Sequence, residues 1–362
     1  MSQPFIPSSW RTPWRHGAGL ALAVGLLAAA GGPGTARADS VPGVAAPANA
    51  VLARMEQRKA ALTRANAAVV GVEVIAVEDA RSIATLGRVR EGSGVVIGDD
   101  GLVLTIGYLI LEADHVDVVD GGGRRVPARV VAYDLASGFG LLQPLAPLSV
   151  ASAPLGNSSA ITGNEPLMIA SGDGDLSLAR MVSRRPFSGY WEYYIDGALF
   201  TAPVRTDHGG AGLFNADGEL VGIGSLVVGN AAGADSPPVR GNMFVPVDLL
   251  KPILGELRTR GASRGSVRAW LGLNCVEDGG HVRIARLTPE SPAEEAGLQP
   301  GDYILAIDGI AVSDLASLYK TLWRDERAER NVALDVRRGA ETLHLKARAV
   351  DRMQTLRRPE GI

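Results

Sequence analysis

Short apolar runs divided by glycine-bearing turns recur along most of this chain, and they limit what it can fold into. Val69-Val70-Gly71-Val72-Glu73-Val74, Gly94-Val95-Val96-Ile97 and Leu102-Val103-Leu104 are three of them. Asp99-Asp100-Gly101 between the last two reads as a hairpin turn with glycine where a positive φ is needed. His115 to Val119 and Val126 to Ala132 flank a second turn, Asp120-Gly121-Gly122-Gly123. The pattern continues through Met168-Ile169, Leu178 to Met181, Leu199-Phe200, Leu220 to Ile223 and Met243 to Val245. Strands this short and this frequent predict an all-β barrel or sandwich. The 45 glycines and the 5% aromatic content fit strands joined by tight turns.

The chain has 362 residues, enough for two or three domains with cores of their own. A net charge of −3 gives no overall basic field for nucleic acid or anionic lipid. Arg11 and Arg15 precede an apolar run from Ala18 to Ala30, which Gly31-Gly32-Pro33 breaks before Ala36-Arg37-Ala38. That order predicts a secretory signal peptide cut after Ala38, hence a periplasmic or secreted protein without a transmembrane helix after cleavage. Cys275 is the single cysteine, so no internal disulfide and no cysteine metal site are expected, and Cys275 reads as a buried small hydrophobe.

Residues 39–66 are expected to hold a flexible segment and then a helix from Ala48, where Val51, Leu52, Met55 and Leu62 recur at helical spacing. Residues 67–255 form the β-rich body, and the polar stretch 256–264 reads as a linker. A second compact unit follows at 265–350, with a tail at 351–362. Within it, Ser291-Pro292-Ala293-Glu294-Glu295-Ala296-Gly297 is a capped short helix, and Ser313 is expected to cap a helix carrying Leu315, Leu318, Tyr319 and Leu322.

The stretches Glu91-Gly92-Ser93-Gly94-Val95-Val96-Ile97, Leu102-Val103-Leu104-Thr105, Tyr133-Asp134-Leu135, Asp207-His208-Gly209-Gly210 and Phe244-Val245-Pro246 together resemble an HtrA/DegP-type trypsin-like domain. Trp270-Leu271-Gly272-Leu273, Ser291-Pro292-Ala293, Gly301-Asp302 and Ile307-Asp308-Gly309 resemble the PDZ domain that follows it in that family. The resemblance spans roughly residues 67 to 350. It implies a mostly β protein, a chymotrypsin-like double β-barrel followed by a small α+β, partly open PDZ barrel. It also implies a His, an Asp and a Ser meeting between the barrels. Here those three positions read Tyr108, Gly138 and Gly209. The family's oxyanion-hole glycine, two residues before the serine, reads Asp207, whose carboxylate is expected to oppose a developing negative charge. Tyrosine is a poor general base near neutral pH, and glycine supplies neither orienter nor nucleophile. Tyr108 reads as an aromatic filling vacated space, and His208 as a solvated loop residue. Asp207 and His208 are too few ligands for a metal, and no cofactor is expected.

The resemblance further implies a groove that binds peptide C-termini. Leu271, Gly272 and Leu273 would receive the carboxylate, and Arg268 would add charge nearby. Leu315, Leu318 and Tyr319 would line the side-chain pocket, although part of that helix must serve the core. The expected function is an HtrA-like pseudoprotease that binds protein C-termini or unfolded segments, as adaptor, chaperone-like factor or regulator. The alternatives are an active serine endopeptidase of protein quality control and a structural subunit of a hetero-oligomer with active relatives. A homotrimer is also expected, built through the N-terminal helix.

Overall fold

The computed structural model describes residues 48–357; the expected signal peptide and the last residues of the tail lie outside them. Helix α1 (Ala48–Ala67) comes first. Its second half packs by Ala65, and Arg58 reaches Asp217 at 3.4 Å. Val51, Leu52 and Met55 are exposed.

Two closed six-stranded barrels follow. The first is built from β1 (Val69–Ala76), β2 (Val89–Val96), β3 (Val103–Ile106), β4 (Ala113–Val119), β5 (Arg125–Tyr133) and β6 (Phe139–Pro144), paired in the order β1-β2-β3-β6-β5-β4. Two single-turn helices, α2 (Ile83–Leu86) and α3 (Gly107–Ile110), interrupt it. The second barrel comprises β7 (Leu167–Ala170), β8 (Leu176–Gly189), β9 (Tyr193–Ala202), β10 (Gly212–Phe214), β11 (Leu220–Val228) and β12 (Gly241–Pro246), in the order β10-β11-β12-β9-β8-β7. Strands such as β4 and β5 keep exposed positions on one face, β3, β7, β10 and β12 are buried along their whole length, and closure removes the free sheet edges. Val70, Val72, Leu104, Leu142, Phe200, Phe214 and Phe244 are among the side chains fully withdrawn from water.

The expected linker is ordered. Helix α4 (Leu254–Arg260) ends at Gly261, which takes a left-handed C-cap with φ +79, and a short 3-10 turn covers Arg264–Ser266. The cause lies in barrel one. The buried Asp134 carboxylate accepts hydrogen bonds from the Ser263 main-chain N–H at 3.1 Å and from the hydroxyls of Ser137, Ser263 and Ser266. Burial opposes the charge on Asp134, but these hydroxyl donors outweigh it and hold the carboxyl below its usual range.

The C-terminal unit pairs β13 (Ala269–Trp270), β14 (Leu273–Asp278), β15 (His281–Leu287), β16 (Tyr303–Ile307), β18 (Arg330–Arg338) and β19 (Glu341–Asp351) in the order β13-β19-β18-β16-β15-β14, with β17 (Ile310–Ala311) attached to β16. Helix α5 (Pro292–Glu295) is capped by Ser291, as expected. Helix α6 (Leu315–Leu322) is capped by Asp314 and not by Ser313: Asp314 and Ser317 form a reciprocal capping box, which a carboxylate one residue nearer the helix makes in preference. The tail turns at Arg352–Thr355 and returns to barrel one, where the Arg357 N–H donates to Glu112 at 2.9 Å.

Candidate functional site

The three triad-like positions converge between the barrels, and each space is filled. Helix α3 carries Tyr108 into the interface. Its last carbonyls are gathered by the Arg90 guanidinium, which donates to the carbonyls of Tyr108 at 3.0 Å and Leu111 at 2.6 Å. The Tyr108 hydroxyl crosses to barrel two and donates to the Ser225 carbonyl at 3.1 Å. A Cβ at Gly209 would lie 2.7 Å from that hydroxyl. The phenol therefore stands where a nucleophile's side chain would begin. Burial pushes its pKa above the ordinary tyrosine value, so it stays a neutral hydroxyl and offers no base.

Gly138 has φ +79, and a Cβ there would come within 2.5 Å of the Tyr193 hydroxyl. That hydroxyl, on β9 of barrel two, donates to the Ser137 carbonyl at 3.0 Å. A tyrosine from the other barrel thus occupies the place a carboxylate would take. Gly107, just before Tyr108, is needed for a close approach: a Cβ would run into the Tyr133 ring.

Asp207 departs from expectation. Its carboxylate turns away from the Gly209 turn and is clasped by the Arg205 guanidinium and the Ser171 hydroxyl. Burial works against its charge, yet Arg205 and Ser171 prevail and keep it ionised below the usual range. Its negative charge is already neutralised by Arg205, so the expected repulsion at an anion site is weakened. His208 is also not solvated as expected. It is half-buried, with Nδ1 3.0 Å from the Thr206 carbonyl, and burial lowers its pKa. Carboxylates of Asp173, Asp175 and Asp207 approach within 4.8 Å of one another. Asp207 among them is already paired with the Arg205 guanidinium.

The Gly209 turn is tied to barrel one by the Ser93 N–H, which donates to the Gly209 carbonyl at 2.8 Å. The Gly172 N–H donates to Ser93 Oγ at 2.9 Å. With the bonds of Tyr108 and Tyr193, four hydrogen bonds cross the seam between the barrels.

In the C-terminal unit, Leu271, Gly272 and Leu273 form a loop whose N–H groups converge. Gly272 has φ +83, and a Cβ would overlap Ser291. Something already fills this loop. Glu192, in the turn between β8 and β9, presents its carboxylate to it, accepting from Leu273 N at 2.8 Å and from Leu271 N at 3.3 Å. Leu315, Leu318, Tyr319 and Leu322 are all buried. Tyr319 faces this same turn: its hydroxyl donates to the Gly189 carbonyl at 2.6 Å and accepts from the Glu192 N–H at 3.2 Å. Arg268 does not serve the loop. Its guanidinium lies 4.4 Å over the Trp323 ring, and its Nε donates to the Gly265 carbonyl. The cation near Glu192 is Arg352, which donates to the Trp191 carbonyl at 3.2 Å. Sequence reasoning missed Glu192 and Tyr193. The signal was the density of aromatics in Tyr190-Trp191-Glu192-Tyr193-Tyr194, in a chain otherwise poor in them.

Two closed barrels meeting at a glycine turn, followed by a small sheet with a loop of converging N–H groups, define a trypsin-like double barrel joined to a PDZ module. The trypsin-like peptidase domain family matches residues 92–223, and the PDZ domain family matches residues 269–348. The chain is 30% identical over 260 residues to a probable periplasmic serine endoprotease DegP-like of Pseudomonas fulva, covering 65% of this chain and 52% of that protein. It is 27% identical over 266 residues to the corresponding protein of Hahella chejuensis, covering 69% and 55%. It is similar in fold to the solved HtrA-type protease AlgW with decapeptide, at 20% identity and a TM-score of 0.51, covering 83% of this chain and 99% of that one. The chain is of the HtrA type, with a trypsin-like domain followed by a PDZ domain. It spans about half the length of the DegP-like relatives it matches.

Proposed function

We propose that this chain is an HtrA-like pseudoprotease whose work is binding: its PDZ module takes protein C-termini or unfolded segments, and it acts as an adaptor, chaperone-like factor or regulator. The observation that carries this reading is the Tyr108 hydroxyl standing 2.7 Å from where a side chain at position 209 would start. With Gly138 facing Tyr193 instead of a histidine, no described group between the barrels combines nucleophile, base and orienter. The loop at Leu271, Gly272 and Leu273 supports the binding half of the reading, because it already receives a carboxylate. A periplasmic setting fits the relatives' names and the leader-like N-terminus. No helix among the described residues is long and apolar enough to cross a membrane. The exposed Val51, Leu52 and Met55 on α1 favour self-association into a trimer or assembly with active relatives.

The test is incubation of the processed protein with unfolded casein and with a fluorophosphonate probe. Intact casein and an unlabelled protein are expected. Stoichiometric labelling of any serine overturns the proposal and favours an active endopeptidase.

A further inference from the structure

We infer that the β8–β9 turn is a built-in occupant of the PDZ groove, with the Glu192 carboxylate standing in for a ligand's terminal carboxylate, so that an external C-terminus binds by displacing it. This inference rests on the peptide-binding reading above.

Recognition of a chain end by such a module needs two things at once: main-chain donors that hold a carboxylate, and an open strand edge that pairs with the ligand backbone. The turn satisfies both. Glu192 takes the N–H groups of Leu271 and Leu273. The Cys275 N–H, on the edge of β14 that no strand of the sheet covers, donates to the Tyr190 carbonyl at 2.9 Å. The turn thus sits beside β14 and against Tyr319 of α6, where an added peptide strand would run. It is an imperfect ligand, because its carboxylate comes from a side chain within a continuous hairpin and no chain end is present.

Two features mark the contact as displaceable. Glu192 is 4% exposed and forms no ion pair within 4.0 Å among the described residues. Its hydrogen-bond partners are neutral main-chain groups, and Arg352 acts on it only at longer range. A buried carboxylate so placed loses hydration that release restores. Glu192 also holds φ +58, in the left-handed region that side-chain-bearing residues rarely adopt, so the surrounding contacts are what keep it there. A ligand must therefore compete with a tethered but strained rival, and its apparent affinity falls by the fraction of molecules whose groove is open.

The experiment uses the full chain in three forms: unaltered, Glu192→Ala, and Glu192→Gln, which keeps the size of the side chain. Each is titrated by calorimetry with a decapeptide ending in a free carboxylate after valine, and with its amidated twin. Amide hydrogen exchange at Leu271, Leu273 and Cys275 is followed without peptide. The free-acid peptide is expected to bind Glu192→Ala at least about tenfold more tightly than the unaltered chain, and Glu192→Gln, which keeps an acceptor oxygen for Leu271 and Leu273, no more tightly than the unaltered chain. The three amides are expected to exchange faster in Glu192→Ala. Equal affinities in all three forms overturn the occupancy while leaving peptide binding intact. If no form binds the free-acid peptide, the peptide-binding reading fails. Exchange then decides the occupancy: faster exchange at Leu271 and Leu273 in Glu192→Ala supports it, and unchanged protection there overturns it.

Discussion

On the pseudoprotease reading proposed above, single side chains keep this scaffold from proteolysis. Gly209→Ser introduces a Cβ 2.7 Å from the Tyr108 hydroxyl, so the phenol must move or lose its bond to Ser225. We expect that variant to fold with a loss of about 1 to 3 kcal/mol and to take up no serine-directed probe. The combination Tyr108→His, Gly138→Asp, Gly209→Ser should fail as well. Position 138 has φ +79, and its new side chain would meet the Tyr193 hydroxyl. Casein cleavage by the triple variant without a change at Tyr193 would contradict this. The positions read against the triad were legible because the motif around each one stands in order. Their occupants were not. Tyr193 lies far from Gly138 in sequence, and only the packing of the two barrels brings them together. Asp207 was misjudged for a related reason: its partner Arg205 is close in sequence, but which way the carboxylate turns is set by Ser171 on another strand connection.

At the scale of elements, the strands were readable from short apolar runs between turn glycines, since the barrel strands bury one face or both. The stretch 256–264, expected as a linker from its polar composition, is ordered, with a short helix that composition alone did not indicate. What orders it is one buried carboxylate in another domain. Asp134→Ala should leave the Ser263 and Ser266 hydroxyls without their shared acceptor. We expect a loss of about 3 kcal/mol and new proteolytic sensitivity near Arg260 and Arg264, read by urea denaturation and limited trypsin digestion. The sign of the acid response follows. Asp134 titrates lower folded than unfolded, so its contribution is present above about pH 4 and is lost as pH falls through the folded value. The Asp134→Ala variant should lack that part of the acid-induced loss. Helix α6 shows the limit of reading caps from sequence, since Ser313 and Asp314 are both good caps and only the geometry of Ser317 separates them.

For the molecule as a whole, the proposed occupancy of the groove by Glu192 predicts that ligand access depends on pH. Burial, the leading cause, pushes Glu192 up to about 7, against the opposing pull of the Leu273 and Leu271 N–H groups and Arg352. Cys275 on β14 and Tyr319 on α6 also face it, and burial keeps both neutral. A released glutamate titrates near ~4.3, so closing the groove takes up a proton between about pH 4 and about pH 7. Closure is therefore strongest below that window and weakens as pH rises through about 7. Free-acid peptide should bind about tenfold more tightly at about pH 8 than at about pH 6, and Glu192→Gln should abolish the difference. A constant affinity across that range in the unaltered chain would count against it.

A peptidase cleft must stay open enough to admit a chain and let its halves leave. Here two phenols and a serine join the two barrels: Tyr108 to Ser225, Tyr193 to Ser137, Ser93 to Gly209 and to Gly172. The barrels should then lose their independence as melting units and unfold together, in one calorimetric transition whose van't Hoff and measured enthalpies agree. Tyr108→Phe combined with Tyr193→Phe removes both phenol hydroxyls while keeping the rings, and should split that transition into two.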